Sequence, residues 1–153
     1  MKPVRLHAAR NEWESFQIAV RSDRSTRIVG LDVSDLVGEG GARLSAEHIR
    51  PYRAHQLRLT HATHRNEAFR ADWYPDALIP FRHPLTGERV GDRFQAVPFD
   101  LPTSETHVFW IDFYIPKDTM PGRYKGSFKV KIQIQHFGWI SRTIADHCEN
   151  LSR

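Results

Sequence analysis

The chain has 153 residues, 40% of them hydrophobic and 26% charged, and its 22 Lys and Arg against 18 Asp and Glu give a formal charge of +4. This is the composition of one ordinary globular domain, and it excludes the disordered, fibrous and disulfide-stapled classes. Cys148 is the only cysteine, so neither an intrachain disulfide nor a multi-cysteine metal site can form.

Other classes fall away on pattern. No apolar run is long enough to cross a bilayer, and the longest apolar strand is interrupted by Asp112. The opening Met1-Lys2-Pro3-Val4-Arg5 is not followed by an apolar stretch, so no signal peptide is expected. Basic residues are scattered, without an RNA-recognition or helix-turn-helix signature, and no nucleic-acid or membrane partner is expected.

In chain order, Val4, Leu6 and Ala8 predict a short opening strand. Phe16, Ile18 and Val20 alternate with Gln17, Ala19 and Arg21, and Val29, Leu31 and Val33 alternate with Gly30, Asp32 and Ser34. A period of two marks strands with one buried and one wet face. Residues 61–94 read as a long irregular central loop carrying Pro75, Pro80 and Pro84, and connections of that length tend to be functional or mobile. In residues 107–115 one face, Phe109, Ile111, Phe113 and Ile115, is wholly apolar, and the other, Val108, Trp110, Asp112 and Tyr114, is half polar. That suits a central strand whose second face is partly covered. Residues 124–135 alternate again, with Lys125, Lys129 and Lys131 on the solvated side.

Gly38-Glu39-Gly40-Gly41, Pro84-Leu85-Thr86-Gly87 and Met120-Pro121-Gly122 break these runs. Short strands, Gly/Pro turns and no intervening helices predict an all-β fold, an antiparallel β-sandwich, over residues 1–137. Residues 138–153 form an atypical C-terminal tail, in which Ile140, Ile144, Cys148 and Leu151 fall at helical spacing open to a short amphipathic helix, a frayed terminus being the slightly favoured reading.

Candidate chemistry is sparse. Asp72 and Asp76, or Glu12 and Glu14, have spacings open to a glycosidase carboxyl pair, but exposed acids at strand edges are the plain reading. His55, His61 and His64, with Glu67 or Asp72, have a loose metal-ligand spacing without a zinc motif, so no metal and no cofactor are expected. There is no nucleophile elbow and no phosphate loop. Trp73 and Tyr74 could stack on a sugar ring with Asp76 or Arg70 beside them, pack against a neighbouring domain, or fold back onto their own sheet. The packing readings carry more weight.

Three segments carry a resemblance. His7-Ala8-Ala9-Arg10-Asn11-Glu12-Trp13-Glu14-Ser15-Phe16-Gln17 resembles the A-x-N-E-x-E-S-F-Q opening of the bacterial β-sandwich domain that precedes the catalytic barrel in glycoside hydrolase family 123. Trp73-Tyr74-Pro75-Asp76-Ala77-Leu78-Ile79-Pro80 follows in the same order. So does Phe109-Trp110-Ile111-Asp112-Phe113-Tyr114-Ile115-Pro116, running on to Pro121-Gly122-Arg123-Tyr124-Lys125-Gly126.

The resemblance implies a sandwich attached to a glycosidase barrel and, for the whole family protein, substrate-assisted hydrolysis of β-linked N-acetylgalactosamine by a neighbouring Asp-Glu pair. No Asp-Glu dipeptide occurs in this sequence, so no catalytic residue carries over. The expectation is a non-catalytic accessory domain cut short at its tail, secreted or in the cell envelope if it follows the family. Its partner is a glycosidase-type barrel or a glycan, and Trp73, Tyr74 and Asp76 are its contact residues. An independent carbohydrate-binding module using Trp73 and Tyr74 is the alternative, and a structural or interaction domain is the third reading.

Overall fold

The computed structural model describes residues 4–62, 64–91, 94–134, 138–145 and 148–151, of which 134, 138–145 and 148–151 are described in their backbone path. The strands, in chain order, are β1 Val4–Ala8, β2 Glu12–Arg21, β3 Thr26–Val33, β4 Leu36–Gly38, β5 Arg43–Leu44, β6 Ile49–Leu59 and β7 Asp72–Pro80. There follow β8 Phe99–Leu101, β9 Thr106–Ile115, β10 Tyr124–Lys125, β11 Phe128–Ile134, β12 Gly138–Ala145 and β13 Cys148–Leu151.

Two four-stranded sheets, β2-β9-β6-β7 and β12-β11-β3-β8, pair antiparallel throughout and face one another. The contact between them is aromatic. Phe16 on β2 meets Phe128 on β11 edge-on, with ring centroids 5.3 Å apart, and Phe99 on β8 meets Phe109 on β9 at 6.1 Å. Edge-to-face pairing sets the negative ring face against the positive ring edge, which favours these arrangements over flat stacking. The sandwich read from the sequence is therefore the fold. A three-stranded sheet β10-β4-β5 flanks it, and β1 with β13 forms the one parallel pair among the described strands.

β9 is the central strand that its apolar face predicts: it pairs with β2 on one side and β6 on the other. Phe109, Ile111, Phe113 and Ile115 are all buried, while Trp110, Asp112 and Tyr114 on the opposite face are half-buried. The core continues through Ile28, Leu101, Phe128 and Val130 of the facing sheet. Lys129 and Lys131 are exposed as expected, and Lys131 Nζ reaches Asp32 Oδ1 at 2.9 Å.

The structure corrects the sequence reading in four places. Residues 138–151 contain no helix in their described part, because β12 runs antiparallel along β11 and β13 runs beside β1. The free edge of β11 offers a ladder of hydrogen bonds, and Trp139, Ile140, Thr143 and Ile144 are strand-favouring residue types, so sheet pairing overrides a four-residue helical spacing. The central loop is not irregular throughout, since Asp72–Pro80 is a strand on the β6 edge. Pro75 and Pro80 are tolerated there because an outermost strand has one side that donates no ladder bonds.

The run 124–135 is two strands in different sheets, β10 and β11, and Gln135 lies outside the described residues. Finally, the register of β11 on β3 shifts between Lys131 and Ile132, which pair with Gly30 and Ile28. Val29 is the extra residue of that bulge, and Ile28 takes the fully buried place.

Candidate functional site

The first and third sequence motifs, about a hundred residues apart, fall on β2 and β9, which lie side by side in direct register. Trp13 pairs with Tyr114, Ser15 with Asp112 and Gln17 with Trp110, so their side chains share the outer face of the sheet. Asp112 Oδ1 accepts the Ser15 hydroxyl at 2.7 Å and the Trp110 indole N–H at 2.5 Å. Tyr114 donates its hydroxyl to Asn11 Oδ1 at 2.9 Å. The Trp13 and Tyr114 rings lie 5.1 Å apart, and the Arg50 guanidinium reaches from β6 to 4.7 Å over the Trp13 ring. Trp13 nonetheless remains 46% exposed.

The entry into β2 fixes this face. Asn11 has φ 64°, a left-handed conformation that Asn adopts more readily than most residues, and its N–H donates to Ile115 O at 2.7 Å. Glu12 accepts the N–H of Ala9 across the same turn. Polar groups on the face are thus committed to one another, while ring surface is left open. That suits docking better than acid–base chemistry.

A second feature lies where β6, β8 and β9 converge: a cleft of about 430 Å³. Trp73 forms one wall, and Arg53, His55, Thr106 and His107 contribute polar lining. The Phe99 ring carries the Arg53 guanidinium at 4.9 Å and the His107 imidazole, stacked, at 5.1 Å. Arg53 Nη2 donates to His55 Nδ1 at 3.4 Å, while its buried Nε has no partner. Burial lowers the Arg53 pKa below its ordinary value, since the charged form loses hydration. The cleft carboxylates already have partners: Glu105 accepts from His107 Nε2 at 3.3 Å within the cleft, and Asp100 accepts from Arg27 Nη1 at 2.7 Å.

The structure does not bring the residues singled out in sequence into one cleft. Trp73 and Tyr74 are successive strand residues and project to opposite sides. Trp73 lines the cleft and is 54% exposed. Tyr74 stacks on Phe69 at 6.2 Å and donates its hydroxyl to Arg70 O at 2.7 Å. Asp76 is exposed on β7 and is not part of the cleft wall.

The remaining spacing candidates also disperse. Asp72 Oδ1 accepts the N–H of Trp73 at 2.8 Å. His61 Nδ1 is bonded to the Thr60 hydroxyl at 2.8 Å, and His64 is exposed. Among the described residues, no three His, Cys, Asp or Glu side chains gather as a metal ion requires.

Sequence reasoning passed over Arg53, Thr106 and His107. The available signal was parity: His107 occupies the same register as the buried Phe109, Ile111, Phe113 and Ile115, so it is a polar residue aimed inward at the end of a core strand.

The fold and these two surfaces define a β-sandwich domain that presents aromatic rings and hydrogen-bonding groups outward. Residues 1–132 match the glycoside hydrolase 123 N-terminal domain, and the chain belongs to that family. A solved structure of a family 123 glycoside hydrolase from Clostridium perfringens, described for glycolipid glycan hydrolysis, superposes with a TM-score of 0.69 at 18% identity. The match covers 99% of this chain and 23% of that enzyme, so the chain spans about a quarter of that enzyme's length. At this identity the likeness establishes the fold. No curated protein matches the chain in sequence.

Proposed function

We propose that residues 1–137 act as a non-catalytic accessory sandwich that docks on a family 123 glycosidase barrel and supports or shapes its substrate-binding mouth. The observation behind this reading is the outer face of β2 and β9, on which two family motifs converge to hold Trp13 and Tyr114 beside Arg50. Trp, Tyr and Arg are the residue types that dominate binding energy at protein interfaces. Covering the exposed part of Trp13 contributes about 1–2 kcal/mol by area alone. The hydrogen bonds from Ser15 and Trp110 to Asp112 hold the surrounding polar groups in place, so docking need not break them.

Two measurements test the proposal. The chain alone is expected to release no chromophore from a β-N-acetylgalactosaminide, and turnover would refute a non-catalytic role. Added in trans to a family 123 catalytic domain stripped of its own sandwich, it is expected to bind and raise that domain's melting temperature. Trp13→Ala should weaken the binding by about tenfold or more. Equal binding by wild type and Trp13→Ala would remove the face from the interface.

A further inference from the structure

The cleft at the β6, β8 and β9 end is separate from the outer docking face and calls for its own ligand. Three features converge on the kind of molecule it takes. Its volume of about 430 Å³ is that of a small-molecule site rather than of a packing defect. Trp73 offers an exposed ring, with the Arg58 guanidinium 5.8 Å from its centroid, and the face of a pyranose stacks on such a ring through its C–H groups.

Arg53 supplies the third feature. Its guanidinium lies over the Phe99 ring and is half-buried, and among the described residues no carboxylate pairs with it. Charges withdrawn from water are ordinarily paired, because losing hydration without a counter-ion is costly. The two acids lining the same cleft are already taken by His107 and Arg27. A ligand that brings its own carboxylate would complete Arg53 and find hydroxyl partners in Gln56, Thr106 and His55.

We propose that this cleft binds an acidic sugar residue, with the ring stacked on Trp73 and the carboxylate on the Arg53 guanidinium. The site is independent of the accessory role. A chain that fails to dock on a barrel can still bind the sugar, and the reverse also holds.

The experiment is a nitrogen-15 NMR titration of the 153-residue chain, following the indole and guanidinium N–H signals. The probes are sodium glucuronate, sodium N-acetylneuraminate, N-acetylgalactosamine and sodium acetate. Saturable shifts of the Trp73 indole and Arg53 guanidinium signals with at least one of the two acidic sugars are expected. The affinity should fall at least tenfold in Trp73→Ala, read from the Arg53 guanidinium, and in Arg53→Gln, read from the Trp73 indole. Trp73 is largely exposed, so its variant keeps the fold and decides the matter if Arg53→Gln does not fold. Binding of N-acetylgalactosamine as tight as that of the acidic sugars would overturn the proposal, as would acetate reproducing the same shifts. Failure of both acidic sugars to shift the indole would overturn it as well.

Discussion

Ser15 and Asp112, 97 residues apart in the chain, stand directly opposite on β2 and β9 and share a hydrogen bond of 2.7 Å. The same Asp112 oxygen holds the Trp110 indole N–H, so one carboxylate organises donors from both motif strands. Hydrogen bonds to a charged acceptor contribute about 1.5–3 kcal/mol each when partly shielded from water. Only the Trp110 bond is part-buried and the Ser15 bond is solvent-exposed, so Asp112→Ala should lower stability by about 2 kcal/mol, most of it from the Trp110 bond, read from urea unfolding at neutral pH. Asp112→Asn retains an acceptor oxygen and should lose less than half of that. Equal losses in the two variants would show that the negative charge, rather than acceptance of the two bonds by an oxygen alone, is what matters.

Gly126 marks the crossing of the chain from β10 in the small sheet to β11 in the large one. A Cβ at this position would overlap Leu36 Cδ2, which belongs to a side chain only 1% exposed, and would lie 3.1 Å from the Asp35 carbonyl oxygen. The flanking Ser127 N–H donates to Ser34 Oγ at 2.8 Å, and Ser34 N–H donates to Ser127 O at 3.0 Å, so the backbone is pinned as well. Gly126→Ala is expected to cost about 1–3 kcal/mol, the range for overpacking a filled core. Leu36→Ala in the same chain should recover part of that loss, and the double-mutant cycle measures the recovery.

How much of this was legible in the sequence depends on whether a feature is local. The strands β2, β9 and β11 each carry their burial in their own alternation, and they read correctly without a partner. The Val29 bulge did not, since only pairing with Lys131 and Ile132 reveals an extra residue. β7 was hidden because Pro75 and Pro80 oppose a strand assignment unless the strand is known to lie at an edge. Helical spacing misled at Ile140 and Ile144 for the related reason that a four-residue interval ignores the open β11 edge. Trp73 was visible as an aromatic residue, but the cleft needed Arg53 and His107, whose convergence depends on three strands meeting at one end.

The Phe16–Phe128 pair is one of the direct links between the two large sheets. Phe128 is 1% exposed, so Phe128→Ala removes a complete ring from a filled interior and should cost about 3–5 kcal/mol. Phe16 is half-buried and its truncation should cost less. A double-mutant cycle is expected to give a coupling of about 0.5–1.5 kcal/mol, typical of an edge-to-face pair beyond its area term. Strict additivity would mean that the rings contribute by burial and not by their mutual geometry.

Asp35 supplies a pH-dependent term to the small sheet. Its carboxylate accepts the Ala46 N–H at 2.7 Å, and it is held by Arg43, whose Nε donates at 2.6 Å and whose Nη2 also donates to it. The bond from Ala46 and then those from Arg43 favour the ionised form, and they set the carboxyl below its ordinary 3.8. The unfolded chain therefore binds this proton at a higher pH than the folded one does. It follows that the contribution of Asp35 is fully present above about pH 4 and is lost as pH falls through the lowered folded value. Asp35→Asn keeps an acceptor for Ala46 but gives up the charge that faces Arg43, so it should unfold at lower urea than wild type at pH 7. The gap between the two midpoints should then shrink as pH falls from 4 toward 2, because protonation makes the wild-type side chain neutral too. A gap that stays constant over that interval would show that Asp35 stabilises the β4–β5 hairpin by shape rather than by charge.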